Sequence, residues 1–238
     1  MLKTLVLETS TEIGVIGVRG ENDTRLGDAT GGRRRHGRDL IPIIQNMIGH
    51  VGFSFRDLEL IGVGLGPGSY TGLRIGVTAA KMLAYATGAV VVGFGSLEAI
   101  ARNAPADALE LAVIADAQGD ELYVAEFRRV QAGSPLVAHG GVRVQAIEPW
   151  LASRPKDQLV IGPALESARI RALLPPELAS LGHEVNQPRW QAIIEHTLEA
   201  HAAGIRHDPW TLEPNYLRRS SAEEKHTARQ KAANAEIP

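Results

Sequence analysis

A glycine-rich segment between a predicted strand and a predicted helix constrains the fold of this chain more than any other feature. Residues 60–65 form a continuous apolar run typical of a buried strand, and residues 78–87 are rich in Ala, Lys, Met and Leu, as helices are. The segment between them, residues 66–76, reads GPGSYTGLRIG. Its glycines permit a positive φ or a close backbone approach, and Ser69 or Thr71 can cap the helix. The chain therefore contains a strand–turn–helix unit, which indicates an α/β fold.

Two roles for this turn follow from its spacing. The start of a helix can bind an anion, so a phosphate ligand is one hypothesis. A tight turn that lets the helix pack on the sheet is the other. The Walker pattern requires Lys beside Ser or Thr after the last glycine, whereas Gly72 is followed by Leu73 and Arg74. The dinucleotide pattern G-x-G-x-x-G does not fit these glycines either, so spacing alone favours the packing role.

Composition narrows the class of protein. The 238 residues have a formal net charge of −2, 44% hydrophobic residues and no cysteine. Such a chain lacks the global basic charge typical of nucleic-acid binding, and it excludes disulfides, thiol catalysis and Cys-ligated zinc. No apolar run is long enough to span a bilayer, and the first residues do not form a signal peptide, so we expect a cytoplasmic protein without a membrane partner. The eight histidines form no H-x-x-x-H or H-E-x-x-H motif, so no metal site is predicted.

The two halves of the chain open with the same pattern. Strands are predicted at 2–8 and 13–18 around an acidic turn, and again at 109–115 and 121–128 around the acidic turn 116–120. Two related domains are therefore predicted, and Asn103-Ala104-Pro105-Ala106-Asp107 is the best boundary between them.

The remaining elements follow from periodicity and turn signals. Helices are predicted at 37–50, at 96–102 with Ser96 as its cap, at 149–153 and at 190–203. Further strands are predicted at 25–30, 89–93 and 159–163, whereas the region around Val142 and Val144 shows no clear period. Residues after 219 are charged and rich in alanine, which predicts a loose tail.

Six motifs in this order resemble those of the bacterial TsaB (YeaZ) family. They are LVLETST at 5–11, HGRDLIP at 36–42, GPGSYTGLRIG at 66–76, VVVGFGSLEA at 90–99, DAQGDELY at 116–123 and PNYLR at 214–218. The resemblance covers about residues 1–217. It implies an α/β fold of two related actin/hexokinase/Hsp70-like (ribonuclease H-like) domains, the second one reduced. On this basis the first domain spans 1–104 with the interface helices, the second spans 105–218, the helix near 190–203 packs back on the first, and 219–238 is the loose tail.

The resemblance also implies a function. Members of this family are non-catalytic scaffold or activator subunits that form a heterodimer with TsaD. With the ATPase TsaE, that complex threonylcarbamoylates N6 of adenosine 37 in ANN-decoding tRNAs. We therefore expect no catalytic residue and no cofactor of the chain's own. ATP or ADP with Mg²⁺ is expected only in the assembled complex, and tRNA is expected to be contacted through that complex. When TsaD is absent, we expect a homodimer.

The expected partner interface consists of two helices. In the second helix, Leu73, Val77, Ala80 and Ala84 form one stripe, and Thr71, Arg74, Thr78, Lys81, Met82 and Tyr85 form another; sequence alone does not tell which stripe is exposed. On the interface interpretation, Ala80→Glu or Ile44→Glu abolishes partner binding with thermal stability nearly unchanged. The full set of predicted interface residues is His36, Leu40, Ile43, Ile44, Met47, Tyr70, Thr71, Arg74, Val77, Ala80, Lys81 and Ala84.

The rival hypothesis is an ATP-dependent kinase or ATPase of the same superfamily that acts alone. It would use Glu8 and Asp116 as Mg²⁺-site acids and the glycine-rich turn for phosphate; the candidate vestigial phosphate contacts are Glu8, Thr9, Ser10, Gly68, Ser69 and Asp116. Against it stand the missing lysine, a glutamate where TsaB relatives usually carry aspartate, and a short second half.

A third hypothesis is a homodimer that has lost its partner. Arg33, Arg34, Arg35 and Arg38 can meet tRNA phosphates, although a solvated basic loop explains them more simply.

Overall fold

The structure is a computed structural model that describes residues 1–31, 39–155, 158–174 and 181–218. The predictions made for His36, for the four arginines near it and for the tail 219–238 lie outside the described residues.

The first sheet has five strands in the order β3-β2-β1-β4-β5. Strands β1, β2 and β3 form an antiparallel meander, and β4 and β5 run parallel to β1, so that Leu5 lies between Val18 and Ile61. All five strands were predicted: the apolar residues of β1, β2, β4 and β5 are mostly buried, whereas Leu26 of the weaker strand β3 is exposed. Their bounds are Thr4–Glu8 (β1), Ile13–Arg19 (β2), Arg25–Gly31 (β3), Leu60–Gly64 (β4) and Val90–Phe94 (β5).

The second sheet repeats the same topology with four strands in the order β8-β7-β6-β9. Strands β6 and β7 form a hairpin, and β9 lies parallel to β6, as β4 does to β1. This repetition confirms the predicted fold class of two related α/β halves with a smaller second one. The strands are Glu110–Asp116 (β6), Glu121–Arg128 (β7), Val137–Ala146 (β8) and Leu159–Ile161 (β9).

Sequence analysis missed β8. Most of its residues are exposed, so the strand carries no apolar alternation. Gly140 and Gly141 both have positive φ and interrupt it, and its register with β7 shifts between Val124 and Glu126. An exposed edge strand of this kind is visible only through its backbone pairing.

Helices cover both faces of the first sheet. Leu5 and Leu7 of β1 point to a core shared with α1 (Leu40–Val51) and α2 (Tyr70–Thr87), whereas Val6 points to α7 (Trp190–Ala202). This alternation follows from the two-residue repeat of a strand. The other helices are α3 (Ser96–Ala101), α4 (Ile147–Ala152), α5 (Ala168–Leu173) and α6 (His183–Asn186).

Two helix starts differ in detail from the predictions. The cap of α2 is Ser69 rather than Thr71, since its Oγ accepts the N–H of Gly72 at 3.3 Å. Ser96 is not a cap: it is the first residue of α3, and its Oγ accepts the N–H of Gly66 at 3.1 Å. The serine therefore stabilises the glycine-rich turn instead of its own helix.

Six of the predicted interface residues are buried in the core of this chain. Their side chains pack between the helices and the first sheet, so they are not accessible to a partner in the free chain, and their place in a partner interface stays a prediction. Ile43 is partly buried against the same core, Thr71 and Arg74 are exposed, and Tyr70 and Lys81 are half-buried. The six buried residues are Leu40, Ile44, Met47, Val77, Ala80 and Ala84.

We expect Ala80→Glu to destabilise the chain strongly. The site is fully buried, so the new carboxylate loses its hydration without gaining a partner, and about 3 kcal/mol or more of unfolding free energy should be lost. Urea unfolding measures this loss. The matched control is Met82→Glu on the exposed face of the same helix, which should change the unfolding free energy by no more than about 0.5 kcal/mol. An Ala80→Glu chain with the wild-type urea midpoint would contradict this placement of α2.

Candidate functional site

The glycine-rich turn is bonded to the β1–β2 turn across a short distance. Ser69 donates its N–H to the carbonyl of Ser10 at 2.7 Å, and the Thr9 hydroxyl donates to the carbonyl of Gly72 at 2.7 Å. A Cβ at Gly72 would overlap the carbonyl oxygen of Thr9. Gly72 is therefore required because the first turn of α2 touches the end of β1, which is the packing role that spacing favoured.

Glu8 ends β1 in a sealed site. The residue is fully buried, and its Oε1 accepts the N–H of Ser10 at 2.6 Å. Its Oε2 has no hydrogen-bond partner among the described residues, and a Cβ at Gly64 would overlap that atom. Burial raises the pKa of Glu8 above its ordinary value, and the nearby Ser96 and Ser10 hydroxyls oppose this shift only in part. Burial thus disfavours the charged form of this carboxyl group.

A cleft of about 860 Å³ separates the two halves of the molecule. The first half contributes the β1–β2 turn and the start of α2, and the second half contributes the β6–β7 turn and the segment after β9. Among the candidate phosphate contacts, Ser10, Gly68, Ser69 and Asp116 line this cleft, whereas Glu8 and Thr9 do not. The cleft therefore brings together four of the six residues.

The predicted pair of Mg²⁺-site acids is not assembled in this structure. Asp116 lines the cleft and accepts the N–H of Gln118 at 2.7 Å, but Glu8 is buried outside the lining. A cation shared by two acids requires both carboxylates at one point of the cleft. Within the described residues, no group of three or more His, Cys, Asp or Glu side chains is placed to hold a metal ion.

The second wall of the cleft holds a polar cluster that sequence analysis missed. His183 Nδ1 lies 2.7 Å from Glu166 Oε2, and the Asn186 amide donates to Glu166 Oε1 at 3.0 Å. Burial acts to raise the pKa of Glu166, but the bonds from His183 and Asn186 outweigh it and hold that pKa below its ordinary value. These residues are isolated polar positions in the sequence, so no motif marks them.

A second feature that sequence analysis missed is an exposed apolar surface. Met82, Tyr85 and Trp210 are 64%, 71% and 72% exposed, and the Tyr85 and Trp210 rings meet edge to face with centroids 5.2 Å apart. Lys81 donates its Nζ to the carbonyls of Trp210 at 3.3 Å and Leu212 at 3.1 Å, which holds Trp210 beside α2. We call Met82, Tyr85 and Trp210 the α2 surface. Trp210 is far from α2 in sequence, so the sequence pattern predicted only part of this surface.

The fold and the cleft define a class of protein. It is a two-sheet α/β protein with related halves, and the cleft between them is lined by Asp116 but not by Glu8. Residues 24–161 match the family described as TsaD: tRNA N6-adenosine threonylcarbamoyltransferase. This match covers more than half of the chain, which therefore belongs to that family. The relatives below place it with the TsaB (YeaZ) members, as the motifs predicted.

The chain is similar to several known proteins. It is 30% identical over 128 residues to the tRNA threonylcarbamoyladenosine biosynthesis protein TsaB of Escherichia coli, covering 53% of this chain and 54% of that protein. It is 30% identical over 132 residues to TsaB of Haemophilus influenzae, covering 54% and 55% of the two chains. The structure of YeaZ from Pseudomonas aeruginosa superposes with a TM-score of 0.75 at 25% identity, covering 91% of this chain and 100% of that one.

These similarities have a defined extent. The chain spans about half the length of the curated relatives that it matches, whereas the structural match covers nearly the whole fold. In the part of the chain that the structure describes, no helix combines the length and the apolar character needed to cross a bilayer.

We expect Glu8→Gln to remove a pH dependence of stability. The pKa of Glu8 is raised in the folded chain above its ordinary value of 4.5, so its contribution is fully present below pH 4.5 and is lost as pH rises through the folded-state pKa. Within that window, the unfolding free energy of the wild type should fall relative to that of Glu8→Gln by up to about 1.4 kcal/mol per pH unit. Urea unfolding of both chains between pH 4 and pH 9 measures the difference. Parallel curves would show that Glu8 titrates normally.

Proposed function

We propose that this chain is a TsaB-type subunit that binds a TsaD chain through the α2 surface and contributes no catalytic side chain. The observation that supports the proposal most directly is the exposure of Met82, Tyr85 and Trp210 on a helix whose opposite face is buried in the core. Tyrosine, tryptophan and methionine are the side chains most enriched at protein interfaces. Of the predicted interface residues that remain at least partly accessible, Tyr70, Thr71, Arg74 and Lys81 lie on this same helix, and Ile43 lies on α1.

The cleft supports the absence of independent phosphoryl transfer. Such a reaction requires acids that hold Mg²⁺ against the phosphates and cations that neutralise the developing charge. Here Asp116 lines the cleft without Glu8, and the cations of the described lining are Arg74 and Arg218, which already contact Tyr216 and Glu121 of this chain. In this proposal the chain acts by holding its partner.

The complex would supply what the chain lacks. We propose that ATP or ADP with Mg²⁺ binds only when TsaD is present, that TsaE joins the assembly, and that tRNA is contacted through the complex. The reaction would then be threonylcarbamoyl transfer to N6 of adenosine 37 in ANN-decoding tRNAs. Without TsaD, the α2 surfaces of two copies would pair, because an isologous contact buries the same apolar side chains. The cytoplasm is the compartment in which this role would be carried out.

A kinase or ATPase that acts alone remains the second candidate because of the size of the cleft. A cavity of about 860 Å³ lies within the range of small-molecule sites, and Ser10, Ser69 and the start of α2 offer polar groups to a phosphate. This candidate requires nucleotide binding by the purified chain without a partner.

We expect Tyr85→Glu to weaken association with TsaD from the same source. Replacing an exposed interface aromatic by a charge should cost about 2 kcal/mol or more of binding free energy, because the carboxylate would be desolvated against an apolar partner. Size-exclusion chromatography with light scattering, performed with and without ATP and Mg²⁺, measures complex formation. The matched control is Val130→Glu, which places the same charge at another exposed apolar residue away from α2 and should leave the complex intact.

The outcomes separate the two candidates. A heterodimer with the wild type and the Val130→Glu chain, but not with Tyr85→Glu, would support the scaffold. Nucleotide bound only in the mixture would support a joint site. No complex with the wild type, together with ATP binding or hydrolysis by this chain alone, would reject the scaffold in favour of the kinase.

A further inference from the structure

The segment that follows α7 is anchored first on the helices and strands of the first half. Residues 207–218, which we call the strap, begin where His207 donates its N–H to the carbonyl of Val91 at 2.8 Å and its Nδ1 accepts the N–H of Gly93 at 3.1 Å. Leu212 is buried in the core under α2, and Asn215 donates its N–H to the carbonyl of Leu65 at 2.7 Å. The strap is thus held on the first half by backbone bonds and by one core side chain.

Tyr216 joins the strap to the first turn of α2 at the cleft. Its ring lies against that of Tyr70 with centroids 4.5 Å apart. Arg74 covers the Tyr70 ring with its guanidinium carbon 4.4 Å from the centroid, and it donates its Nε to the Tyr216 hydroxyl at 3.3 Å. All three side chains line the cleft. They form a stack that fixes one wall.

Two residues further on, Arg218 reaches the opposite wall. Its Nη1 donates to the carbonyls of Ala117 and Gln118, and it pairs with Glu121 at 3.0 Å. These acceptors belong to the turn between β6 and β7, which is the cleft edge of the second sheet. Leu217, between the two anchors, packs against the core of the second half. The strap therefore touches both walls within a few residues.

We propose that the strap is a clamp that fixes the spacing between the two halves across the cleft, with Tyr216 and Arg218 as its two anchors. Two other connections join the halves: α3, whose Ala99 packs with the first half and whose Ile100 packs with the second, and the chain that runs from α6 to α7. An additional attachment at the cleft restricts rotation of the halves about these links. Relative motion of two such units is the default where their interface is small.

The chemistry of Arg218 suits this role better than a stabilising one. Its ion pair with Glu121 is partly exposed, and partly exposed pairs contribute little to the free energy of unfolding. Its Nη1 nitrogen, however, brings two carbonyls and one carboxylate of the β6–β7 turn together at one point. The Arg218 side chain is therefore expected to control position more than stability.

The test measures the width of the cleft in the full chain. The protein has no cysteine, so Thr71→Cys and Ser167→Cys introduce unique spin labels at exposed positions on the two sides of the cleft. Pulsed electron–electron double resonance gives the distance distribution between the two spin labels. Arg218→Gln should broaden this distribution about twofold toward longer distances, because the second attachment is lost. Arg218→Lys, which keeps a charged nitrogen donor on a side chain of different length and shape, should give an intermediate width.

The matched control is Arg206→Gln. Arg206 precedes the strap and contacts the carbonyl of His201 at the end of α7, so its replacement should leave the distribution unchanged. An Arg218→Gln chain with the wild-type distribution and the wild-type melting temperature would overturn the clamp.

Hydrogen exchange separates a clamp from general loosening. In Arg218→Gln, amides of residues 116–121 should exchange about tenfold faster, while amides of strand β4 should keep their wild-type rates. Faster exchange in both regions would mean a general loss of stability and would also overturn the proposal. Should Arg218→Gln fail to fold, Tyr216→Ala removes both the ring that lies against Tyr70 and the acceptor of the Arg74 bond, and an unchanged distance distribution in that variant would again overturn the clamp.

Discussion

The close contact between the start of α2 and the end of β1 is the constraint on which the rest of the first half depends. Ser69 and Thr9 bond the glycine-rich turn to the β1–β2 turn, and Gly72 leaves no room for a side chain between them. This contact fixes the height of α2 above the sheet, which decides that Val77 and Ala80 enter the core. The opposite face of the helix is then left to solvent or to a partner. A turn that resembles a phosphate loop in composition thus has a packing role.

Much of this architecture could be predicted because it is local. Apolar runs mark the strands of the first sheet, and acidic turns between apolar runs mark both hairpins. Strand β8 could not be predicted, since it is exposed and has no apolar alternation. The strap could not be predicted either, because backbone bonds from His207 and Asn215 to distant strands leave no periodic signal in the sequence.

The candidate site was less predictable than the fold for a physical reason. The amphipathic pattern of α2 shows two apolar stripes, but only tertiary packing decides that Ala84 is buried and Tyr85 exposed. Trp210 completes the exposed surface from far along the chain, because Lys81 binds the backbone beside it. In the same way, the sequence places Glu8 in a hairpin turn, where an acidic side chain is usually exposed. Only the close approach of β4 at Gly64 shows that its carboxyl group is buried.

The sealed Glu8 and the strap point to the same conclusion about the cleft. Glu8 lies outside the cleft lining, so its carboxyl group is not placed to share a cation with Asp116. A kinase of this architecture also needs its halves to close over the substrate, whereas Arg218 joins the two walls directly. Under the two proposals made above, the clamp would hold the halves in a fixed relation. A partner bound on α2 would then meet the second half at a constant position, which lowers the cost of ordering on binding.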